Sequence, residues 1–309
     1  MEYTNLQNSP VKLPKKVKDS SKRESFNALT IIMLVVLVLY VVSLIGLMCW
    51  ALLTSFKSHQ DFRLNKFGLP KEWVWNYGEV FNKFVVYVNT PAGRSPISMG
   101  MMFVYALVYS LGCSFFNTLV PCITAYLCAR FPFKFSKVIH TVVIIVMILP
   151  IIGSLPSEIQ MSKTFGLYDQ LWGLWIMKAH FLGMYFLVMY GNFKSLPMAY
   201  TEAAKIDGAG NMSVLIRVIL PLIKNTFFTI MLINFIGFWN DYQTPLIYMP
   251  SYPTIALGMY EMTNTTENGM SRVNMRMAGS MLMLIPILAL FLAFHKRLLG
   301  NLTVGGLKG

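Results

Sequence analysis

Residues 194–225 form a polar segment between two strongly apolar runs, and they read KSLPMAYTEAAKIDGAGNMSVLIRVILPLIKN. A hydroxyl side chain commonly accepts a hydrogen bond from the first free N–H groups of a helix, and proline fits the first helical turn. Ser195, with Pro197 close behind it, therefore predicts a helix start. Ala203 and Ala204 are strong helix formers, so the helix is expected to continue through them.

The same segment is expected to turn back on itself at a glycine. Gly208 predicts the left-handed residue that commonly ends a helix. Asn211 or Ser213 would start a second short helix, which we expect to end before Pro221, because proline lacks the N–H that a helix interior needs. The result would be a helix–turn–helix whose small residues let another protein's backbone come close. On physical grounds alone, an ordinary amphipathic connector is an equally good interpretation.

The composition of the whole chain indicates a membrane protein. Of the 309 residues, 55% are hydrophobic and 13% are charged, whereas about a quarter of the residues in a soluble domain are charged. The mean hydropathy is +0.55. Lipid is therefore the expected solvent for most of this chain.

Six apolar segments approach the ~20 residues that a helix needs to cross about 30 Å of hydrocarbon. The first is about twice as long as the core of a signal peptide, so we interpret it as an uncleaved membrane helix. The six segments are Ala28–Thr54, Met99–Ala129, Val138–Leu155, Leu171–Phe193, Thr226–Ile247 and Met277–His295.

The distribution of Lys and Arg predicts which side holds the termini. Basic residues are most numerous in the N-terminal tail, the 130–137 loop, the 194–225 loop and the tail after His295. Cytoplasmic loops carry such an excess, so both termini are expected in the cytoplasm. The net charge of +13 then suits an interaction with anionic lipid headgroups, and nucleic acid is not an expected partner.

The sequence offers no set of residues for catalysis or for ATP binding. It contains no Gly-Lys dipeptide, which excludes the GxxxxGK[ST] phosphate loop. The four histidines are scattered, and the four cysteines lack the spacing of metal ligands. We therefore expect neither an enzyme nor a metal site.

The fifth apolar segment ends in a polar and aromatic cluster, and polar groups inside a membrane suggest function. Aromatic faces next to amide and carboxylate groups suit a sugar, so one hypothesis is that this cluster lines a translocation path. The alternative, equally favoured, is that Asn240 and Asp241 only cap the helix end or contact the outer loop. For Asn117 and Asn234, which lie mid-segment, hydrogen bonding between helices is favoured over cargo contact. The cluster is Trp239, Asn240, Asp241, Tyr242 and Gln243.

The 194–225 segment also carries a pattern that resembles a known signature. Three residues separate Glu202-Ala203-Ala204 from Gly208, and nine more separate that glycine from Val218-Ile219-Leu220-Pro221. This spacing resembles the EAA signature of ABC importer permeases, with Val218 in place of the usual isoleucine.

Three further motifs are similar to those of the sugar-importing permeases. Ala125–Arg130 looks like the end of their second helix, and Gly166–Asp169, followed by Gly173 and Leu174, resembles the turn after their third. The tail Asn301–Gly309 is similar to the C-terminus of the second permease of maltose-type transporters.

The resemblance implies an all-α membrane protein with six transmembrane helices, the type I ABC importer permease fold. Its cytoplasmic loop would couple to a separate ATPase dimer, which would bind ATP and Mg, so this chain would need no cofactor. The other implied partners are a second permease subunit and an extracytoplasmic sugar-binding protein, besides membrane lipid. The implied coupling residues are Glu202, Ala203, Ala204, Gly208, Leu220 and Pro221.

These inferences place the chain in a bacterial cell membrane. Two alternatives remain for the class of protein. One is an ABC importer for a cargo other than sugar, and the other is an ion-coupled secondary transporter. The latter would need buried acidic residues deep in several spans. The expected parts are a cytoplasmic basic tail (1–27), the first transmembrane helix (28–54), an outer loop (55–98), a permease core of five transmembrane helices (99–297) and a cytoplasmic tail (298–309).

Overall fold

The computed structural model describes residues 27–90, 93–131, 133–149, 153–264 and 269–302, with the side chains of 90 and 295–302 left aside. Residues 1–26 of the predicted basic tail and the residues after 302 lie outside these ranges. The chain divides into two compact units, residues 1–49 and 50–309. Of the first unit the structure describes residues 27–49, which are helical from Ala28 onwards.

The described chain is predominantly helical, which confirms the predicted fold class. Two antiparallel strands, β1 (Val85–Thr90) and β2 (Gly93–Ser98), pair with Val85 opposite Ser98. The helices are α1 (Ala28–Ser55), α2 (His59–Leu64), α3 (Asn76–Lys83), α4 (Met99–Arg130), α5 (Lys134–Ile148), α6 (Leu155–Thr164), α7 (Leu171–Met177), α8 (Met184–Ser195), α9 (Ala199–Ile206), α10 (Asn211–Val214), α11 (Leu220–Asn240), α12 (Gln243–Tyr248), α13 (Ile255–Asn264) and α14 (Val273–Leu302).

Four helices in the described ranges are long and apolar enough to cross a membrane. They are Ala28–Ser55, Met99–Arg130, Asn211–Asn240 and Val273–Phe294. The six predicted spans are therefore not all single long helices. The third corresponds to α5, whose 15 residues extend only about 22 Å at 1.5 Å per residue.

The fourth predicted span is interrupted, and this differs from the expectation of one continuous helix. It consists of α7 and α8, separated by non-helical backbone that ends at Gly183. Gly183 has a φ of +150°, which residues other than glycine rarely tolerate. A cavity of about 180 Å³ beside the break is lined in part by Asn117 and Pro121 of α4. Irregular backbone at membrane depth is tolerated where it lines such a cavity or is covered by protein.

The segment after α1 is folded, although the sequence indicated only a long loop. Lys57 is fully buried, and its ammonium group donates a hydrogen bond to the carbonyl of Asn65 at 2.7 Å. The carbonyl of Lys57 accepts from the side-chain amides of Asn76, at 2.8 Å, and Asn274, at 3.1 Å. Because Asn274 belongs to the first turn of α14, these bonds join the 55–98 segment to the last long helix.

Helix α4 is the centre of the packed unit. It packs most extensively against α7, α8, α11 and α13 and contributes to three buried clusters, two of which lie at its ends. The cluster at its C-terminal end includes Tyr126, Phe186 and Phe193. The cluster at its N-terminal end includes Met102 and Trp239.

A buried hydrogen bond joins α4 to α11 between these clusters. The side-chain amide of Asn234 donates to the hydroxyl oxygen of Thr118 at 3.1 Å. Thr118 in turn donates to the carbonyl of Ser114 at 2.7 Å. The preference for an interhelical role is therefore confirmed for Asn234. Asn117, by contrast, lines the cavity beside the break in the fourth span.

We expect Asn234→Ala to lower the free energy of unfolding by about 0.6–2 kcal/mol, the range measured for hydrogen bonds between membrane helices. The measurement is a denaturation midpoint in detergent micelles. Asn192→Ala is the matched control, because the Asn192 amide bonds only the Val188 carbonyl of its own helix. Equal midpoints for the two variants would show that the Asn234–Thr118 bond contributes nothing to stability.

Candidate coupling surface and translocation residues

Helix α9 begins later than the sequence predicted. Ser195 is the last residue of α8, and its hydroxyl donates to the Asn192 carbonyl at 2.8 Å, so its predicted capping role is wrong. The reason lies in the next two residues. Leu196 adopts an extended conformation, with ψ of 133°, because the residue before a proline is forced away from helical angles. Pro197 therefore ends α8, and α9 starts at Ala199.

The turn after α9 confirms the predicted role of Gly208. Its φ is +81°, and its N–H donates to the carbonyl of Lys205 at 3.0 Å. The N–H of Ala209 donates to the carbonyl of Ala204 at 2.9 Å. This pair of bonds is typical of the Schellman motif, in which a left-handed residue satisfies the last carbonyls of a helix.

The second helix of the segment does not end before Pro221, so that prediction is wrong. Residues Leu215–Ile219 form a π-helical turn, and the Leu220 N–H donates to the carbonyl of Leu215, five residues earlier. The helix then continues through Pro221 as α11. A proline ring normally clashes with the carbonyl four residues before it. The wider π turn displaces that carbonyl, so the helix passes the proline without stopping.

Arg130 anchors this segment to the end of α4. Its side chain is buried, with 6% exposed. One guanidinium nitrogen donates to the Leu196 carbonyl at 2.9 Å, and another contacts the sulfur of Met198 at 2.8 Å. The ammonium group of Lys205 lies 5.9 Å from the centre of the Phe131 ring. The Ala125–Arg130 motif therefore ends in a side chain that contacts Leu196 and Met198, and the motif alone did not reveal these contacts.

The six predicted coupling residues do not share one face. Glu202, Ala203, Gly208 and Pro221 are exposed, Leu220 is half-buried, and Ala204 belongs to the buried cluster around Tyr126. Ala204 therefore fixes α9 to the body of the protein, while Glu202 and Ala203 point outward.

Exposed apolar side chains precede and follow Glu202 in the chain, and sequence reasoning missed them. Ile206 is 86% exposed and Met212 is 68% exposed, and Met198 and Tyr200 are exposed by about half. We call this surface, Met198, Tyr200, Glu202, Ala203, Ile206 and Met212, the coupling surface. The signal in the sequence was Ile206 itself, an isoleucine between Lys205 and Asp207 with no apolar neighbour on either side.

The five residues of the polar and aromatic cluster at the end of α11 differ in their burial and their contacts. Trp239 is fully buried and donates to the Met283 carbonyl at 3.2 Å, so its ring lines no surface of this chain. Asp241 accepts from the N–H of Thr244 at 3.0 Å and from the hydroxyl of Tyr109 at 3.1 Å. These bonds join Asp241 to the first turn of α12 and to α4.

The other three members of the cluster differ in their contacts. Tyr242 stacks on Tyr260, with 4.7 Å between ring centres. Asn240 is exposed, and its amide bonds the Ile236 carbonyl of its own helix. Gln243 is exposed at the first turn of α12. Asn240 and Gln243 are therefore the members whose side chains a passing solute could reach.

Comparisons with known proteins agree with this architecture. A family described as "Binding-protein-dependent transport system inner membrane component" matches residues 118–302, which include α8, the coupling surface and α11. Among solved structures, the crystal structure of a bacterial ABC transporter involved in the import of the acidic polysaccharide alginate superposes with a TM-score of 0.72. The match covers 88% of this chain and 97% of the other, and the 19% identity limits the likeness to the fold.

Curated relatives carry the same kind of description. The chain is 25% identical over 276 residues to the diacetylchitobiose uptake system permease protein NgcG of Streptomyces coelicolor, covering 87% of this chain and 86% of that protein. It is 27% identical to the galactooligosaccharides transport system permease protein GanQ of Bacillus subtilis, covering 72% and 79% of the two chains.

Arg130→Met should loosen the 196–210 segment while keeping side-chain bulk. Hydrogen bonds from a charged group contribute about 1.5–3 kcal/mol, so local opening should become roughly 10–100-fold more frequent. Hydrogen–deuterium exchange of the 196–210 amides measures this. Lys137→Met, at an exposed basic position on α5, is the control. Exchange that is unchanged in Arg130→Met would mean that other contacts hold the segment.

Proposed function

The chain belongs to the family of binding-protein-dependent transport system inner membrane components, and on this basis we propose that it is the permease subunit of an ATP-binding-cassette importer that moves a sugar or oligosaccharide into the cell. The observation that carries the proposal is the exposed coupling surface, held at one end of α4 by Arg130. The chain is a multi-pass membrane protein, and it is not itself an enzyme, since ATP hydrolysis belongs to a separate ATPase in this family.

The geometry supports a mechanical role for α9. It is linked through residues 196–198 to the end of α8, and through the Gly208 turn to the helix that becomes α11. A force on the coupling surface is therefore transmitted along the backbone of two membrane segments. The proposed partner is a cytoplasmic ATPase dimer, which would bind ATP and Mg, so this chain would need no cofactor of its own. Ile206 would fill an apolar pocket of that partner, and Glu202 would pair with a basic group.

The other proposed components follow from the same family. A second permease subunit would complete the membrane domain, and an extracytoplasmic binding protein would deliver the cargo. The proposed orientation, with both termini in the cytoplasm, would put the basic 194–225 segment beside the ATPase. An ion-coupled transporter is disfavoured, because the four long helices contain no Asp or Glu. The names of the relatives favour sugar over other cargo.

Ile206→Glu is expected to release the ATPase from the complex. Truncating or charging a central apolar anchor commonly weakens an interface by about 2 kcal/mol or more, which is roughly 30-fold. The measurement is the amount of ATPase that co-purifies with the tagged permease expressed together with its operon neighbours. Leu64→Glu is the control, because Leu64 is similarly exposed, at 83% against 86%, on α2. If no ATPase co-purified with the unaltered chain, the proposed function would be wrong.

For the translocation path, we propose that Asn240 and Gln243 contact cargo and that Asp241 positions them. Removing one hydrogen bond to a neutral sugar weakens an interaction by about 0.5–1.5 kcal/mol, so Asn240→Ala and Gln243→Ala should slow uptake roughly 2–10-fold. ATPase activity in the assembled transporter should persist. Asp241→Asn keeps an acceptor for the Thr244 N–H and serves as the structural control. Unchanged uptake in both alanine variants would remove this cluster from the path.

A further inference from the structure

A cavity lies near the N-terminal end of α4, away from the coupling surface. Helix α4 has 32 residues, so its ends are about 48 Å apart at 1.5 Å per residue. Its C-terminal end contacts residues 196–198 through Arg130, whereas its N-terminal end directly follows β2. There β1, α13 and the 250–253 turn enclose a cavity of about 530 Å³.

Asp169 fixes one wall of this cavity. Its carboxylate accepts from the N–H of Ser251 at 2.9 Å and from the Ser251 hydroxyl at 2.6 Å. Its own N–H donates to the Tyr248 carbonyl at 2.7 Å. Among the non-glycine residues that the structure describes, Asp169 alone has a positive φ, of 58°. Aspartate adopts this left-handed conformation more readily than most residues, and the neighbouring bonds hold Asp169 in it.

A second link stiffens the same wall. The hydroxyl of Tyr248 donates to the Glu158 carboxylate at 2.9 Å. Hydrogen bonds from Ser154 and Tyr248 lower the pKa of Glu158. Burial, and after it the bond to Glu158, raises the pKa of Tyr248 to about 12. The tyrosine therefore stays a neutral donor and the glutamate a charged acceptor across the neutral pH range, so α6 remains joined to α12.

The lining of the cavity has the chemistry of a carbohydrate site. Tyr87 offers a partly exposed ring, with the Arg94 guanidinium 4.8 Å from its centre. Asn89 on β1 and Glu261 on α13 bring amide and carboxylate groups to the same space. A ring face with a few polar groups in a cavity of roughly 300–1,000 Å³ is the usual form of a small-ligand site.

The charges select the kind of saccharide. Arg94 is the one basic residue in the described lining, and Glu261 and Asp169 are acidic. An acidic sugar would meet no excess of positive charge here, whereas the hydroxyl groups of a neutral sugar can use both donors and acceptors. We propose that this cavity binds a neutral mono- or disaccharide unit before it enters the membrane path. The proposal rests on the proposed function, whose cargo class it narrows.

The test uses the whole transporter in nanodiscs, without its binding protein. Asn264→Cys in a Cys49→Ser background places a reactive thiol at the cavity lining, and the labelling rate with a membrane-impermeant maleimide is measured with maltotriose, raffinose or diacetylchitobiose present. At a sugar concentration four times its dissociation constant, mass action gives about fivefold protection. Glu79→Cys in the same background is the control, because Glu79 lies on α3 and is absent from the cavity lining.

Protection by at least one of these sugars, lost when Glu261→Ala is added, is the expected result. Failure of all three to protect Asn264→Cys, or equal protection in Glu79→Cys, would overturn the proposal. Protection by the binding protein without sugar, and none by sugar alone, would also overturn it, since the cavity would then be a protein contact. Saccharide protection in a chain that recruits no ATPase would instead keep the cavity and reject the importer function.

Discussion

In hydrocarbon, each backbone N–H and C=O group must find a partner within the protein, because no water can supply one. That requirement explains why the apolar segments of this chain are helices and why α4 is central. Hydrogen bonds within its 32 residues satisfy most of its backbone groups and leave the side chains free to pack on the neighbouring helices. Where the backbone does leave the helix, between α7 and α8, it lies beside other elements and a small cavity.

The need to satisfy backbone groups also shapes residues 194–225, which carry the coupling surface. Pro197 ends α8, the Gly208 turn satisfies the last carbonyls of α9, and the π turn before Pro221 keeps the next helix unbroken. Buried Arg130 supplies donors to the carbonyl of Leu196, which the break after Ser195 leaves outside any helix. Rigid ends on both sides of a short helix make α9 suitable for transmitting a push, since little of the motion is lost in flexible connections.

The two ends of α4 carry different chemistry. At one end the coupling surface combines exposed apolar side chains with Glu202, which suits a protein partner. At the other end, the proposed saccharide cavity combines a tyrosine ring with amide and charged groups, and Asp169 braces its wall. A protein that takes a polar solute from one side and responds to a partner on the other needs this asymmetry, and the packed body between them connects the two.

The sequence by itself determined the membrane class, the position of the long helices, the turn at Gly208 and the family, because hydrophobic length and local backbone preference are properties of neighbouring residues. It also pointed to Asn234 as a link between helices. The tertiary structure alone decided that α8 runs to Ser195, that Pro221 lies inside a helix, that Trp239 is buried and that residues 55–98 fold into helices and a hairpin. It alone brought Arg130 to Leu196 and Asp169 to Ser251. These outcomes depend on contacts between residues far apart in the chain, and no local pattern of residues encodes such contacts.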